Sequence, residues 1–196
     1  LPPGLTALKT VNLNLHFLRL LPNGLRHLAF EFGRITADIA AALPRSLERL
    51  KSVNEGYIED ESLFALLPPL IELDLFGNYE DEEENYTIAP TYSANSSALL
   101  PRTLTSLTLG PLKLSPGWYA KLPSGLLRLT LYLDEDHVDH LQELAPACPN
   151  LVELIFELKS LSSNLGATLW SSIRPHLPPR LQTFKLGSQH RSAFEA

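Results

Sequence analysis

Methionine is absent from this chain of 196 residues, and cysteine occurs once, as Cys148. A single thiol excludes an internal disulfide framework and a cysteine-based zinc cluster, and it fits a reducing, cytoplasmic or nuclear compartment. No stretch of 18 apolar residues occurs, so nothing reads as a membrane-spanning helix. The opening LPPGLTALKT has no basic segment followed by an apolar one, which excludes a signal peptide there. Positive charge is in the minority, with 16 Lys and Arg against 22 Asp and Glu and a net charge of -6. That balance argues against a nucleic-acid or anionic-membrane surface. A chain that starts at Leu1 without any methionine reads as an excerpt of something longer.

Leucine and proline are plentiful, and they occur together. Hydrophobic residues make up 44% of the chain, enough to bury a core, and seven of the 16 prolines directly follow a leucine. LPRTLTSLTL (Leu100 to Leu109) is followed by LPSGLLRLTL (Leu122 to Leu131), one pattern written twice. Aligned on the first leucine of Leu-x-x-Leu-x-Leu, the anchors are Leu25, Leu47, Leu70, Leu104, Leu126, Leu151 and Leu181, at spacings of 22, 23, 34, 22, 25 and 30. A less regular unit opens the chain between Leu5 and Leu15 and can be framed in two registers.

In each unit the last leucines alternate with other residues, the period of a strand with one buried face. One such strand cannot bury its leucines alone, and parallel stacking of the units does so. Proline disfavours helix at the residue before it, so each Leu-Pro ends a returning helix and turns the chain into the next strand. Thr36 to Leu43, Glu61 to Leu67 and Asp134 to Leu144 read as such return helices. The long spacings locate insertions: an acidic one at 79–97 containing EDEEE (Glu80 to Glu84), and a longer return carrying Trp170. The first reads as a solvated loop, since it lacks the glycine and alternate spacing of a calcium loop.

The chain resembles leucine-rich-repeat proteins over nearly its whole length. The resemblance implies an α/β solenoid, a single array of about eight irregular repeats over 1–196, with a curved parallel sheet on the concave side and helices and loops on the convex side. Ala147-Cys148-Pro149-Asn150-Leu151 is similar to rungs in the arrays of F-box proteins, which present substrates to ubiquitin ligases. Leu109-Gly110 and Leu186-Gly187 are similar to FNIP-type repeats, although the Phe-Asn that should follow is missing. Bacterial effector arrays also begin units with Leu-Pro, but only Asn78 fills their asparagine position.

Residues alternating outward on the strands form the expected interaction surface. Those singled out as partner-binding are Arg49, Lys51, Glu72, Asp74, Phe76, Arg128, Tyr132, Glu153, Ile155 and Glu157. Phe76, Tyr132 and Ile155 stand out because aromatic and apolar anchors dominate interface energetics. Eight strands would span about 34 Å, enough for a standard protein interface. The competing reading is that Arg49 with Glu72, Lys51 with Asp74 and Arg128 with Glu153 merely neutralise one another across strands.

Other motifs lead to plainer readings. His137 and His140 lack a third metal ligand. Trp118, Tyr119 and Cys148 read as core. The sequons at Asn85 and Asn95 are short enough to arise by chance. No nucleophile elbow, phosphate loop or dinucleotide fingerprint occurs, so neither catalytic residues nor a cofactor are expected. The reading is a non-enzymatic protein-binding module, with substrate recognition for an F-box-type ligase as its finer form. The alternatives are a structural spacer or accessory repeat region, or a bacterial-type effector domain.

Overall fold

The computed structural model describes residues 1–75, 91–133, 141–158 and 173–188. Phe76, Glu80 to Glu84, Asn85, His137, His140 and Trp170 lie outside the described residues. Eight strands run side by side in chain order: β1 (Ala7–Asn12), β2 (His27–Ile35), β3 (Arg49–Ile58), β4 (Glu72–Leu75), β6 (Ser106–Leu114), β7 (Arg128–Leu133), β8 (Glu153–Leu158) and β9 (Thr183–Ser188). Every pairing is parallel, and the short β5 (Thr91–Tyr92) joins the far end of β6. This is a leucine-rich-repeat solenoid. Leu8 stands opposite Leu28, which makes Leu5 the anchor of the first unit.

The Leu-Pro pairs do what proline sterics require. Leu43, Leu67, Leu100, Leu122 and Leu177, each followed by proline, take ψ between 136° and 151° and end the helical segment. The proline carbonyl then closes a tight turn. Leu25, Leu47, Leu104, Leu126 and Leu181 donate their N–H groups to Pro22, Pro44, Pro101, Pro123 and Pro178. Leu151 donates to Cys148, which takes the corresponding place in its rung. This three-residue offset explains the Leu-Pro-x-x-Leu spacing, and at Leu67-Pro68-Pro69-Leu70, one residue shorter, Leu70 donates to Pro68 instead.

Stacking is held by backbone ladders and by side chains at the turns. Thr6 O accepts from both Arg26 N and His27 N, and the same double acceptance recurs at each rung through Val152 O. Ser46 Oγ donates to Leu25 O at 2.7 Å, and Thr103 Oγ1 donates to Leu70 O at 2.6 Å. These hydroxyls satisfy the carbonyls of the preceding rung's anchor leucines. The leucines complete the core: Leu25, Leu47, Leu70, Leu104, Leu126 and Leu151 are each at most 1% exposed. Leu5 and Leu181, at the two ends, are only partly buried, because each has a neighbour on one side alone.

The described return segments are short. Among the described residues, α1 (Leu15–Leu18), α2 (Ala37–Ala42), α3 (Ser96–Leu99) and α4 (Leu144–Ala147) are α-helical. Thr36 caps α2, accepting from Ile39 N. Glu61–Leu66 is a 3-10 helix instead, and residues 134–140 of the helix expected at 134–144 lie outside the described residues. A return of so few residues between strand and Leu-Pro leaves little room for i to i−4 bonds, which favours the tighter helix.

Residues 91–97, assigned from sequence to the insertion, pack into the array. Tyr92 is 4% exposed and meets Phe64 edge-on at 5.4 Å. Both Ser93 N and Ser93 Oγ donate to the Glu61 carboxylate. Ser96 and Ser97 are buried beneath Trp118.

Candidate protein-interaction surface

At their starts the strands alternate buried and outward side chains, with register irregularities later in β2 and β6. Leu50, Leu73, Leu107, Leu129, Leu154 and Phe156 point into the core and are 0% exposed. Between them, Arg49, Lys51, Glu72, Asp74, Arg128, Tyr132, Glu153, Ile155 and Glu157 are exposed or half-buried on the opposite, concave side. The sheet is rigid where it matters, since every strand but those at the ends is hydrogen-bonded on both edges.

The register brings the charged residues together in rows across neighbouring strands. Arg49 lies beside Glu72 and Lys51 beside Asp74, as the sequence spacing predicts. Lys51 Nζ and the Asp74 carboxylate are 2.8 Å apart, Arg49 Nε and Glu72 are 3.6 Å apart, and Lys9 Nζ reaches Glu31 at 2.9 Å. At the far end Arg128 lies beside Glu153 and Tyr132 beside Glu157. Among the described residues, Arg128 and Glu153 do not close an ion pair. The concave face is thus internally neutralised over β1 to β4 and open in charge over β7 and β8.

The pair at Lys51 and Asp74 is electrostatically lopsided. The hydrogen bond to Asp74 holds the Lys51 pKa above its ordinary value, as expected for a cation gaining a partner. Burial pushes the Asp74 carboxyl up, and the ammonium only partly offsets this. The two directions disagree about whether the contact favours charge. The 2.8 Å geometry decides for a charged pair near neutral pH, with the carboxylate as its costlier member.

A second surface escaped the alternation argument because it precedes the strands. The residue after each anchor sits on the rim where the chain enters the sheet, and the ladder stacks these residues in order: Thr6, Arg26, Glu48, Ile71, Thr105, Leu127, Val152 and Gln182. Arg26 and Glu48 pair at 2.8 Å. Ile71 and Leu127 instead remain 41% and 42% exposed, with Val152 half-buried beyond them. The signal was present as apolar residues after three anchors, but a repeat pattern that stresses buried leucines hides it.

Behind the sheet, Trp118 Nε1 donates to Ser96 Oγ at 3.0 Å, and Ser97 Oγ donates to Trp118 O at 2.6 Å. Ser97 therefore has a packing role within the second sequon, while Asn95 accepts from Lys121 Nζ at 2.6 Å. Cys148 is fully buried and its thiol is pushed up to about 12, so it is no nucleophile at neutral pH. Among the described residues, no three metal-binding side chains gather, and no helix is long and apolar enough to cross a membrane.

No family model matches the chain, and no curated protein matches it. Among solved structures it is similar to one titled "The crystal structure of CroV588 a novel circular LRR protein structure". The identity is 18% and the TM-score 0.38, over 96% of this chain and 34% of that one. The chain thus spans about a third of that protein, and at this TM-score the likeness carries no functional inference. The parallel rungs by themselves make the chain a repeat protein of leucine-rich-repeat type.

Proposed function

We propose that the chain is a non-catalytic protein-binding module that engages its partner on the concave sheet. One observation carries this reading: a row of outward side chains held at strand spacing by a fully stacked core. A preformed surface avoids the ordering cost that weakens flexible binders. The finer reading is substrate recognition for an F-box-type ubiquitin ligase in the cytoplasm or nucleus, supported by the Cys148-Pro149-Asn150-Leu151 rung.

The test is a cross-linked pull-down followed by mass spectrometry. The baits are the parent and a variant carrying Lys51→Ala, Asp74→Ala, Tyr132→Ala and Ile155→Ala, with circular dichroism confirming the fold. Proteins captured by the parent and lost from the variant support concave-face binding, and ligase subunits among them support the finer reading. Identical captures move binding elsewhere, and empty captures from both baits favour a structural spacer.

A further inference from the structure

The concave face is divided by its own ion pairs, and the division indicates where a partner docks. Over β3 and β4 each outward cation already faces an acid, with Lys51 and Asp74 in hydrogen-bond contact. A partner binding there has to break those bonds or leave them intact and gain little. Arg128 and Glu153 occupy the same row in the same register three rungs further on, yet they are not bonded to each other. Arg128 is exposed and Glu153 half-buried, so each keeps charge that a partner can satisfy.

Apolar surface gathers around that pair. Ile155 follows two residues after Glu153, half-buried on the same face, and stands beside Thr130 in register. On the rim, Leu127 directly precedes Arg128 and Val152 directly precedes Glu153, and their backbones are joined by Val152 N to Leu127 O at 2.8 Å. An arginine set among apolar side chains is the composition of an interface hot spot.

We propose that the partner-binding site suggested above is confined to β7, β8 and their rim, and that it takes a protein segment bearing an apolar side chain between an acidic and a basic residue. The apolar side chain packs on Ile155, Leu127 and Val152, the acid pairs with Arg128 and the base with Glu153. This inference rests on the concave-face reading and narrows it. The charges of the occupant follow from complementarity: a purely acidic segment would face Glu153 unpaired, and a purely basic one would face Arg128.

A phage-displayed library of random dodecapeptides tests it, panned on the folded parent chain. Enriched phage are then measured on Arg128→Ala/Ile155→Ala and on Lys51→Ala/Asp74→Ala, each verified by its thermal melt. The expected result is enrichment of peptides with an apolar residue between opposite charges, and recovery falling about tenfold or more on the first variant alone. Recovery lost on the second variant alone, or peptides of a single charge sign, overturns the proposal while leaving concave-face binding standing. Peptides indifferent to both variants, or no enrichment at all, count against both readings.

Discussion

Trp118 is bonded at both its ring and its backbone to two consecutive serines of the preceding rung, Ser96 through the indole N–H at 3.0 Å and Ser97 through the carbonyl at 2.6 Å. All three residues are at most 1% exposed. A buried polar contact of this kind fixes one alignment of the two return segments, because any slip leaves donors and acceptors without water. Replacing Ser97 by alanine should therefore cost about 1–3 kcal/mol, and the double change with Ser96→Ala more. Urea titration followed by tryptophan fluorescence reads both, and an unchanged midpoint would show that the network does not hold the segments.

Leu107 lies in the middle of the stack, 0% exposed between Leu73 and Leu129. Leu107→Ala should cost about 2–5 kcal/mol as a core truncation. Leu107→Asp should prevent folding, since it places an unpaired charge in the core. If the aspartate variant melted like the parent, the assignment of inward and outward positions would be wrong.

Tyr119 is buried with a hydroxyl that has no hydrogen-bond partner among the described residues. Burial, with the charge of Glu143, pushes its pKa up, so the hydroxyl stays protonated across the working range. Tyr119→Phe removes an unpaired polar group and keeps the ring stacked edge-on to Trp118 at 5.6 Å. Stability should be unchanged or raised by about 1 kcal/mol. A clear loss would reveal a partner for the hydroxyl.

Cys148 should resist alkylation until the chain unfolds. Its folded pKa of about 12 stands above the ordinary 9.0 because burial disfavours the thiolate. Below pH 9 both states hold the proton and this group leaves stability independent of pH. Between pH 9 and 12 the unfolded chain loses the proton that the folded chain retains, so stability falls with rising pH, by at most about 1.4 kcal/mol per unit. Melts of the parent and Cys148→Ala across pH 8 to 11 should diverge in slope, with the variant flatter.

The Lys51 and Asp74 pair should respond unequally to its two truncations. Lys51 is 54% exposed and Asp74 only 15%, so removing the cation strands the less solvated member. Lys51→Ala is expected to cost more than Asp74→Asn, both within about 1 kcal/mol because the exposed ammonium is screened by solvent. The raised carboxyl pKa of Asp74 means that the folded state holds this proton more tightly than the unfolded state does. The group therefore adds stability as pH falls through its folded pKa and withdraws it above. Denaturation midpoints at pH 4 and 7 compare the variants, and the reverse order would show that Asp74 is well solvated.

The sequence by itself determined the rung. Leucines at alternate positions cannot be buried by one strand, and proline after leucine cannot continue a helix, so the parallel sheet and its register could be read before any coordinates. Arg49 beside Glu72 and Lys51 beside Asp74 followed from spacing alone, because parallel stacking at a constant turn offset aligns equal positions. Tertiary structure decided which of those neighbours bond. Arg49 and Arg128 have the same row and the same acidic neighbour, yet only the first is paired, since rotamer and surrounding side chains lie beyond the reach of a period. It also decided the fate of residues 91–97, whose polar composition suggested a loop. Tyr92, Ser96 and Ser97 are buried there because Phe64 and Trp118, distant in the chain, provide the ring and the hydrogen bonds that make burial favourable.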